Sequence, residues 1–461
     1  MTSTLSGLSV IRPKTAYLLP PSVEDWLPED HLARFILEAI EKLDITALTR
    51  AYAGRGSAAY HPEVLLSLLV YGYATGVFSS RRIERATYDS LAFRYLAAGS
   101  HPDHDTLATF RRRFLGELSG IFLQVLELAG EMKLLKLGNV SLDGTKIHAN
   151  ASRHSALSHG HIEKLETQLK AEVQELLALA ESADQADIPD GMKLPDEIKR
   201  REDRLAVMEA AKVKIEARAR ARFEEEQAAY EEKLAKRSAR AAETGRKPGG
   251  KPPRPPVEGP SASDQINLTD EESRIMKVAG GGFEQCYNAQ AAVDVETMLV
   301  IVSQLTQAAN DREQVIPMLA PLQALPDTLG KVERLIADCG YYSEKNIAAV
   351  DATGIEPLIA LAREDHHPGV KDRFTEPTPI DADATPKDRM AHTLKTKLGR
   401  MLYALRKQTV EPVFGIIKSV MGFRQFLLRG LEKVTGEWQL VCLAWNLKRM
   451  AVLRQKSVQY G

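Results

Sequence analysis

Up to about residue 135 the apolar positions recur every three or four residues, the period of helices buried along one face. Leu32, Phe35, Ile36 and Ile40 follow Pro28-Glu29-Asp30, and Val64, Leu65, Leu68 and Leu69 follow Pro62. Each opening predicts a helix. Ser79-Ser80 predicts the cap of a shorter helix carrying Arg81, Arg82 and Arg85. Past the turn-forming Gly99-Ser100-His101-Pro102-Asp103, either Asp103 or Asp105 caps one long helix through Leu107, Phe110, Phe114, Leu118 and Phe122. Arg111, Arg112 and Arg113 lie on that helix. Short helices, a tight turn and clustered arginines fit a helix-turn-helix DNA reader. They fit equally a helical bundle whose arginines face water.

From about 136 the pattern becomes that of strands. Val140–Leu142 is a short apolar run, and Tyr287–Asp294 and Met298–Leu305 are two more, separated by the polar turn Val295-Glu296-Thr297, a hairpin signal. Asn310 and Glu313 have capping-box spacing for a helix over 311–324. A strand over Val332–Ala337, a helix over Ser343–Asp351 capped by Ser343, and a strand over Glu356–Leu361 follow. This order predicts a mixed sheet with crossover helices, occupying 136–158 and 265–461. The first and fourth strands of such a sheet can lie side by side.

Residues 159–264 interrupt it. Ile162, Leu165, Leu169, Val173 and Leu176 keep a helical period, and after a Pro/Gly/Asp-rich break (Asp184 to Pro195) so do Leu205, Met208, Ile215, Phe223, Tyr230 and Leu234. Two long charged helices with narrow apolar stripes predict an antiparallel coiled-coil hairpin. Its Pro/Gly-rich exit holds seven Lys/Arg against one acid, Glu243, from Lys236 to Arg254. Such a tract docks on phosphate backbone or serves as a solvated linker, and we read it as a DNA contact.

A chain of 461 residues is too long for one compact core, so two or three domains are expected. With 61 Lys+Arg against 62 Asp+Glu, net charge argues neither for nor against a nucleic-acid partner. Cys286, Cys339 and Cys442 form no CxxC pair, which excludes a disulfide framework or a cysteine zinc site and suits a reducing cytoplasm. The strongest apolar run, Val64 to Tyr73, is too short to span a bilayer, and no secretory signal is visible. An intracellular protein without a membrane segment is expected.

Three carboxylates carry the chemistry. Asp143 and Asp338 each end an apolar run, and Glu411 stands before Pro412, which places it in the first turn of a helix. Taken singly, each has a plainer reading: an Asx turn at a strand end for the aspartates, the positive end of a helix for the glutamate. Taken jointly, in this order of elements, they predict an acidic cage for two Mg²⁺ ions, with Mn²⁺ as a substitute. Two such cations clamp the attacking and leaving oxygens of a phosphodiester. Asp143, on a central strand, is the natural bridging ligand, with Asp338 and Glu411 each holding one ion. Lys418, seven positions after Glu411 on the same helical face, would reach a phosphate near the metals.

With these acids in view the chain resembles the DDE transposases of bacterial insertion sequences. The resemblance lies in the N-terminal helical region, in Leu142-Asp143-Gly144-Thr145-Lys146-Ile147-His148-Ala149-Asn150, in Tyr287-Asn288-Ala289-Gln290, in Ala337-Asp338-Cys339-Gly340-Tyr341-Tyr342-Ser343, in Val410-Glu411-Pro412-Val413-Phe414-Gly415 and in Trp445-Asn446-Leu447-Lys448-Arg449. Many of these enzymes carry a tyrosine, an arginine, the glutamate and a lysine at fixed spacings. Tyr403 and Arg406 match the first spacing and Glu411 and Lys418 the last, while four residues rather than three separate Arg406 from Glu411. Either Lys407 takes the arginine's place or the chain is adjusted locally.

The resemblance implies an all-α N-terminal DNA-binding domain over 1–135 and a ribonuclease-H-like α/β catalytic domain interrupted by the helical hairpin. It implies metal-dependent cleavage at transposon ends and strand transfer into target DNA, with Asp143, Asp338 and Glu411 catalytic and metal-binding. Lys418, Arg406, Tyr403, Lys407, Arg111, Arg112 and Arg113 would contact DNA. Terminal inverted repeats, a target duplex, a homodimer on paired ends and a nucleoid location in a bacterium are the implied setting. A two-metal nuclease of the same fold without strand transfer, or an inactive DNA-binding relative, are the alternatives. Among lesser candidates, Tyr341 and Tyr342 either stack on a frayed base or pack in the core. His154, His159, His161, His366 and His367 read as surface histidines, and Cys339 as a small residue packed at a strand end.

Overall fold

A computed structural model describes residues 23–50, 52, 60–182, 193–245, 249–362, 375–381 and 383–460. His366 and His367, and most of the break expected between the two long charged helices, lie outside the described residues. Among those described, seven α-helices precede the sheet: α1 (Leu32–Glu41), α2 (Thr46–Arg50), α3 (Pro62–Thr75), α4 (Ser80–Asp89), α5 (Leu91–Leu96), α6 (His104–Arg113) and α7 (Leu118–Glu131). Apolar on nearly every side, α3 is correspondingly buried, and it packs on the C-terminal helix Leu431–Tyr460. Asp103 rather than Asp105 caps α6, its carboxylate accepting the Thr106 N–H at 2.8 Å.

The one long helix expected through Phe122 is instead two, α6 and α7, broken by a turn at 114–117. Gly116 in that turn weakens helix propagation. The break also lets Leu115 bury against Gly436 of the C-terminal helix, where a Cβ would come within 2.8 Å of the Leu115 Cβ. Tertiary packing decides the boundary here.

The sheet has six strands. Its order is β4 (Arg274–Lys277), β5 (Phe283–Asp294), β1 (Leu137–His148), β7 (Gly330–Ala337) and β8 (Glu356–Ile359), with β6 (Val300–Thr306) sharing the outer edge of β5. β5 runs antiparallel to β1, whereas β1, β7 and β8 are mutually parallel. β1 is therefore central, with the fourth strand of the expected series beside it. A separate two-stranded ribbon pairs β2 (Ala156–Ser158) with β3 (Gln265–Asn267). Two crossover helices follow β6 and β7: α10 (Val315–Gln323) and α11 (Glu344–Ala352). Ser343 caps α11 by accepting the Asn346 N–H at 3.0 Å. The capping box at Asn310 and Glu313 does not form; α10 starts at Val315, after an uncapped Gln314.

Between β1 and β5 lie α8 (His159–Ser182) and α9 (Leu194–Thr244). Glu172 pairs with Arg201 at 2.7 Å and Glu166 with Lys212 at 3.5 Å, so the two helices run antiparallel. Ile162, Leu169, Met208, Ala211, Ile215 and Ile266 form a buried cluster of their own. The contact stops well short of the end of α9, whose Leu234 is exposed. Buried residues of α1, α3 and α7, of the sheet and of the C-terminal helix instead share one continuous core. No single helix among the described residues is long and apolar enough to cross a membrane.

Candidate active site

Parallel pairing of β1 with β7 sets Leu142 opposite Ala337. The next residue on each strand is acidic, so Asp143 and Asp338 stand beside one another on adjacent strands. Leu142 is fully buried, and pleat alternation turns Asp143 to the other face of the sheet. Its Oδ1 accepts the Gly144 N–H at 2.8 Å. Asp338 lies just past β7 and caps the turn Cys339–Tyr341, its Oδ1 accepting the Gly340 N–H at 2.8 Å. The strand-end Asx geometry expected of isolated aspartates is thus present at Asp338, and it holds the carboxylate at the mouth of the sheet.

Glu411 enters from the short helix Val410–Gly415. It does not reach the aspartates. Arg406 lies between: its Nη2 is 2.9 Å from Glu411 Oε1 and its Nη1 is 3.4 Å from Asp143 Oδ2. The Arg406 side chain is 11% exposed and that of Glu411 47%. Spacing left two possibilities for this segment, and the chain is adjusted locally. A 3-10 turn over Leu405–Gln408 gives way at Thr409 to the new helix, absorbing the extra residue and bringing Arg406 inward, while Lys407 is exposed.

Burial pushes the Asp143 carboxyl up to about 7. The Gly144 N–H and Arg406 oppose the rise, and the negative charges of Asp338 and Asp311 add to it. In the sequence Asp311 stands between Asn310 and Glu313, whose spacing is that of a helix cap, and no motif singles it out. Its Oδ1 accepts from Asn288 Nδ2 at 2.6 Å and Gln290 Nε2 at 2.8 Å, with Lys146 Nζ at 3.4 Å. A signal was available: Asn288 and Gln290 are polar positions two apart on an otherwise apolar strand, hence on one face. Gly144 makes room for this network, since a Cβ there would sit 2.1 Å from Gln290 Nε2 and 2.6 Å from Asp311 Oδ1.

Several expected DNA contacts are placed elsewhere. Arg111 is buried, its Nη1 donating to the Tyr73 hydroxyl at 3.0 Å and the Phe78 carbonyl at 3.2 Å, and it serves the core rather than a phosphate. Arg112 and Arg113 are exposed, Arg113 lying over the Tyr52 ring at 5.3 Å. Tyr403 is buried with Ile336, Leu358 and Ala360, so its ring supports the sheet instead of facing DNA. Lys418 does not continue the Glu411 face, because the helix widens to a π-turn over Ile416–Val420. Its ammonium donates to the Thr145 hydroxyl and, at 2.8 Å, to the Lys146 carbonyl, and burial lowers its pKa. Tyr341 is fully buried, its hydroxyl donating to Gln290 Oε1 at 2.5 Å, so it cannot stack on a base. His159 is buried rather than a surface residue.

Hard carboxylate oxygens are the donor set that Mg²⁺ and Mn²⁺ prefer. Asp143 and Asp338 supply them side by side on adjacent strands. The fit is incomplete in one respect. Among the described residues no three His, Cys, Asp or Glu side chains converge closely enough to hold a metal ion. Glu411 is turned to Arg406 instead.

Residues 21–113 match the family described as Transposase domain (DUF772), and residues 254–447 match the Transposase DDE domain. The second range contains Asp338 and Glu411; Asp143 precedes it, so its place rests on the pairing of β1 with β7. Comparison with curated proteins and with solved structures gave no match. Two transposase domains in this order, on a helical N-terminal region followed by a mixed α/β sheet, carry one conclusion: the chain belongs to the DDE transposases of insertion-sequence type.

Proposed function

We propose that this protein cleaves DNA at the ends of its transposon, leaving a 3′ hydroxyl, and joins that hydroxyl to a target duplex. The observation that carries the reading is the juxtaposition of Asp143 and Asp338 on the parallel pair β1–β7, with Glu411 tied to Asp143 through Arg406. The central strand, flanked by an antiparallel and a parallel neighbour, suits a ribonuclease-H-like sheet over 136–158 and 265–461. Residues 1–135 then serve as the DNA-binding region, and 159–264 as an inserted helical hairpin with a basic exit.

Asp143, Asp338 and Glu411 are the catalytic carboxylates and would hold two Mg²⁺ ions, or Mn²⁺. Bound there, such ions would supply an activated oxygen nucleophile and neutralise charge on the phosphodiester. Asp143 would hold metal from β1 and Asp338 from the end of β7. Arg112, Arg113 and Lys407, all exposed, would contact phosphates. Lys418 fixes the segment after Glu411 against β1, and Arg406 sets the position of Glu411. The terminal inverted repeats, a target duplex and a second copy on the paired end are the proposed partners, and the bacterial nucleoid the setting.

Incubating the full chain with a donor duplex bearing the inverted repeats, a target plasmid and Mg²⁺ tests this. Joined products that disappear in Asp143→Asn support the reading. Cleavage without joining would favour a nuclease, and joining unchanged in Asp143→Asn would overturn the site.

A further inference from the structure

Arg406 occupies an unusual position for a cation. It spans two of the three carboxylates proposed as metal ligands, at 3.4 Å from Asp143 and 2.9 Å from Glu411, and its side chain is 11% exposed. Its hold is not complete: Nε is buried without a hydrogen-bond partner. The partners are unequal too. Asp143 is fixed on the central strand, whereas Glu411 is 47% exposed on a six-residue helix that follows the break at Thr409.

The acids without Arg406 would be a cluster of negative charge around a buried aspartate. With it, that charge is compensated, but Glu411 is kept from joining Asp143 and Asp338. A divalent ion and this guanidinium therefore cannot both hold the facing oxygens of Asp143 and Glu411.

We propose that Arg406 is a resident cation that holds Asp143 and Glu411 in the metal-free protein and competes with divalent metal for them. The site assembles in two stages: Asp143 and Asp338 offer the first oxygens, and Glu411 joins when the guanidinium withdraws. This rests on the reading of Asp143 and Glu411 as metal ligands. Competition of this kind makes Arg406 a positioning residue, acting through Glu411.

The test is Mn²⁺ binding by the full-length protein, followed through loss of the free-Mn²⁺ electron paramagnetic signal, with thermal melting measured in parallel. Arg406→Gln should bind Mn²⁺ about tenfold more tightly than the native chain, a factor within the usual range for two coupled ligands. It should also melt lower than the native chain without metal and gain more on adding Mn²⁺. Arg406→Lys, whose single ammonium cannot span both carboxylates, should fall between the two. Unchanged or weaker Mn²⁺ binding in whichever of these variants folds would overturn the competition. Asp143→Asn separates the two levels. If it binds Mn²⁺ as the native chain does, the metal site itself is misplaced; if it loses Mn²⁺ while the Arg406 variants do not gain it, only the competition fails.

Discussion

Asp143 within β1 and Asp338 just past β7 each follow the paired Leu142 and Ala337 by one residue, on neighbouring parallel strands. Nearly two hundred residues separate them in the chain, including α8 and α9, and the sheet closes that distance by backbone pairing alone. Asp143 is thus positioned by the central strand, and Asp338 by the end of β7 and the turn it caps. Glu411 differs, standing on the short helix Val410–Gly415 and held by a side-chain contact to Arg406.

The shifted Asp143 carboxyl gives stability a definite dependence on pH. Its folded value, about 7, lies above the ordinary 3.8, so between these limits the folded chain binds more protons than the unfolded one. In the absence of metal, stability contributed by this group is present below about pH 4 and is lost as pH rises towards 7. Urea titrations of native protein and Asp143→Asn across this window should show the gap between them shifting in favour of Asn as pH rises. A gap independent of pH would contradict the burial assigned to this carboxyl.

Arg111, Arg112 and Arg113 should separate sharply on substitution. Arg111→Ala removes a buried cation that bonds Tyr73, whose hydroxyl donates in turn to Glu437 at 2.8 Å, and should cost about 3 kcal/mol in urea unfolding. Arg112→Ala and Arg113→Ala, at exposed positions, should stay within roughly 0.5 kcal/mol. Their effect should fall on DNA affinity and on its salt dependence. Equal stability losses at all three positions would show that Arg111 is not buried as described.

Gly144→Ala tests the room beside Asp143. The added methyl would drive into Gln290 and Asp311, so a cost of roughly 1–3 kcal/mol and weaker Mn²⁺ binding are expected. Calorimetric melting and metal titration measure both. A variant as stable as the native chain would mean that the Asn288–Gln290–Asp311 network shifts freely.

Much of this was legible in the chain. The order of strands and helices allowed β1 to lie beside β7, as it does, and two apolar runs and a proline singled out Asp143, Asp338 and Glu411. What the sequence hid was non-local. The turn at 114–117 answers to Gly436, more than three hundred residues away, and the burial of Arg111 to Tyr73 and Glu437. Asp311 was obscured by a local capping rule that the structure does not use. Arg406 was ambiguous because a one-residue change of spacing has two local solutions, and only the break at Thr409 selects between them.

Proximity of the three carboxylates to a shared cation is most directly measured by replacing Mg²⁺ with Fe²⁺ and generating hydroxyl radicals, which cut the backbone beside the bound metal. Cuts are expected near Asp143, Asp338 and Glu411, all suppressed by excess Mg²⁺ and absent in Asp143→Asn. Cuts confined to one of these stretches, or indifferent to Mg²⁺, would contradict that proximity.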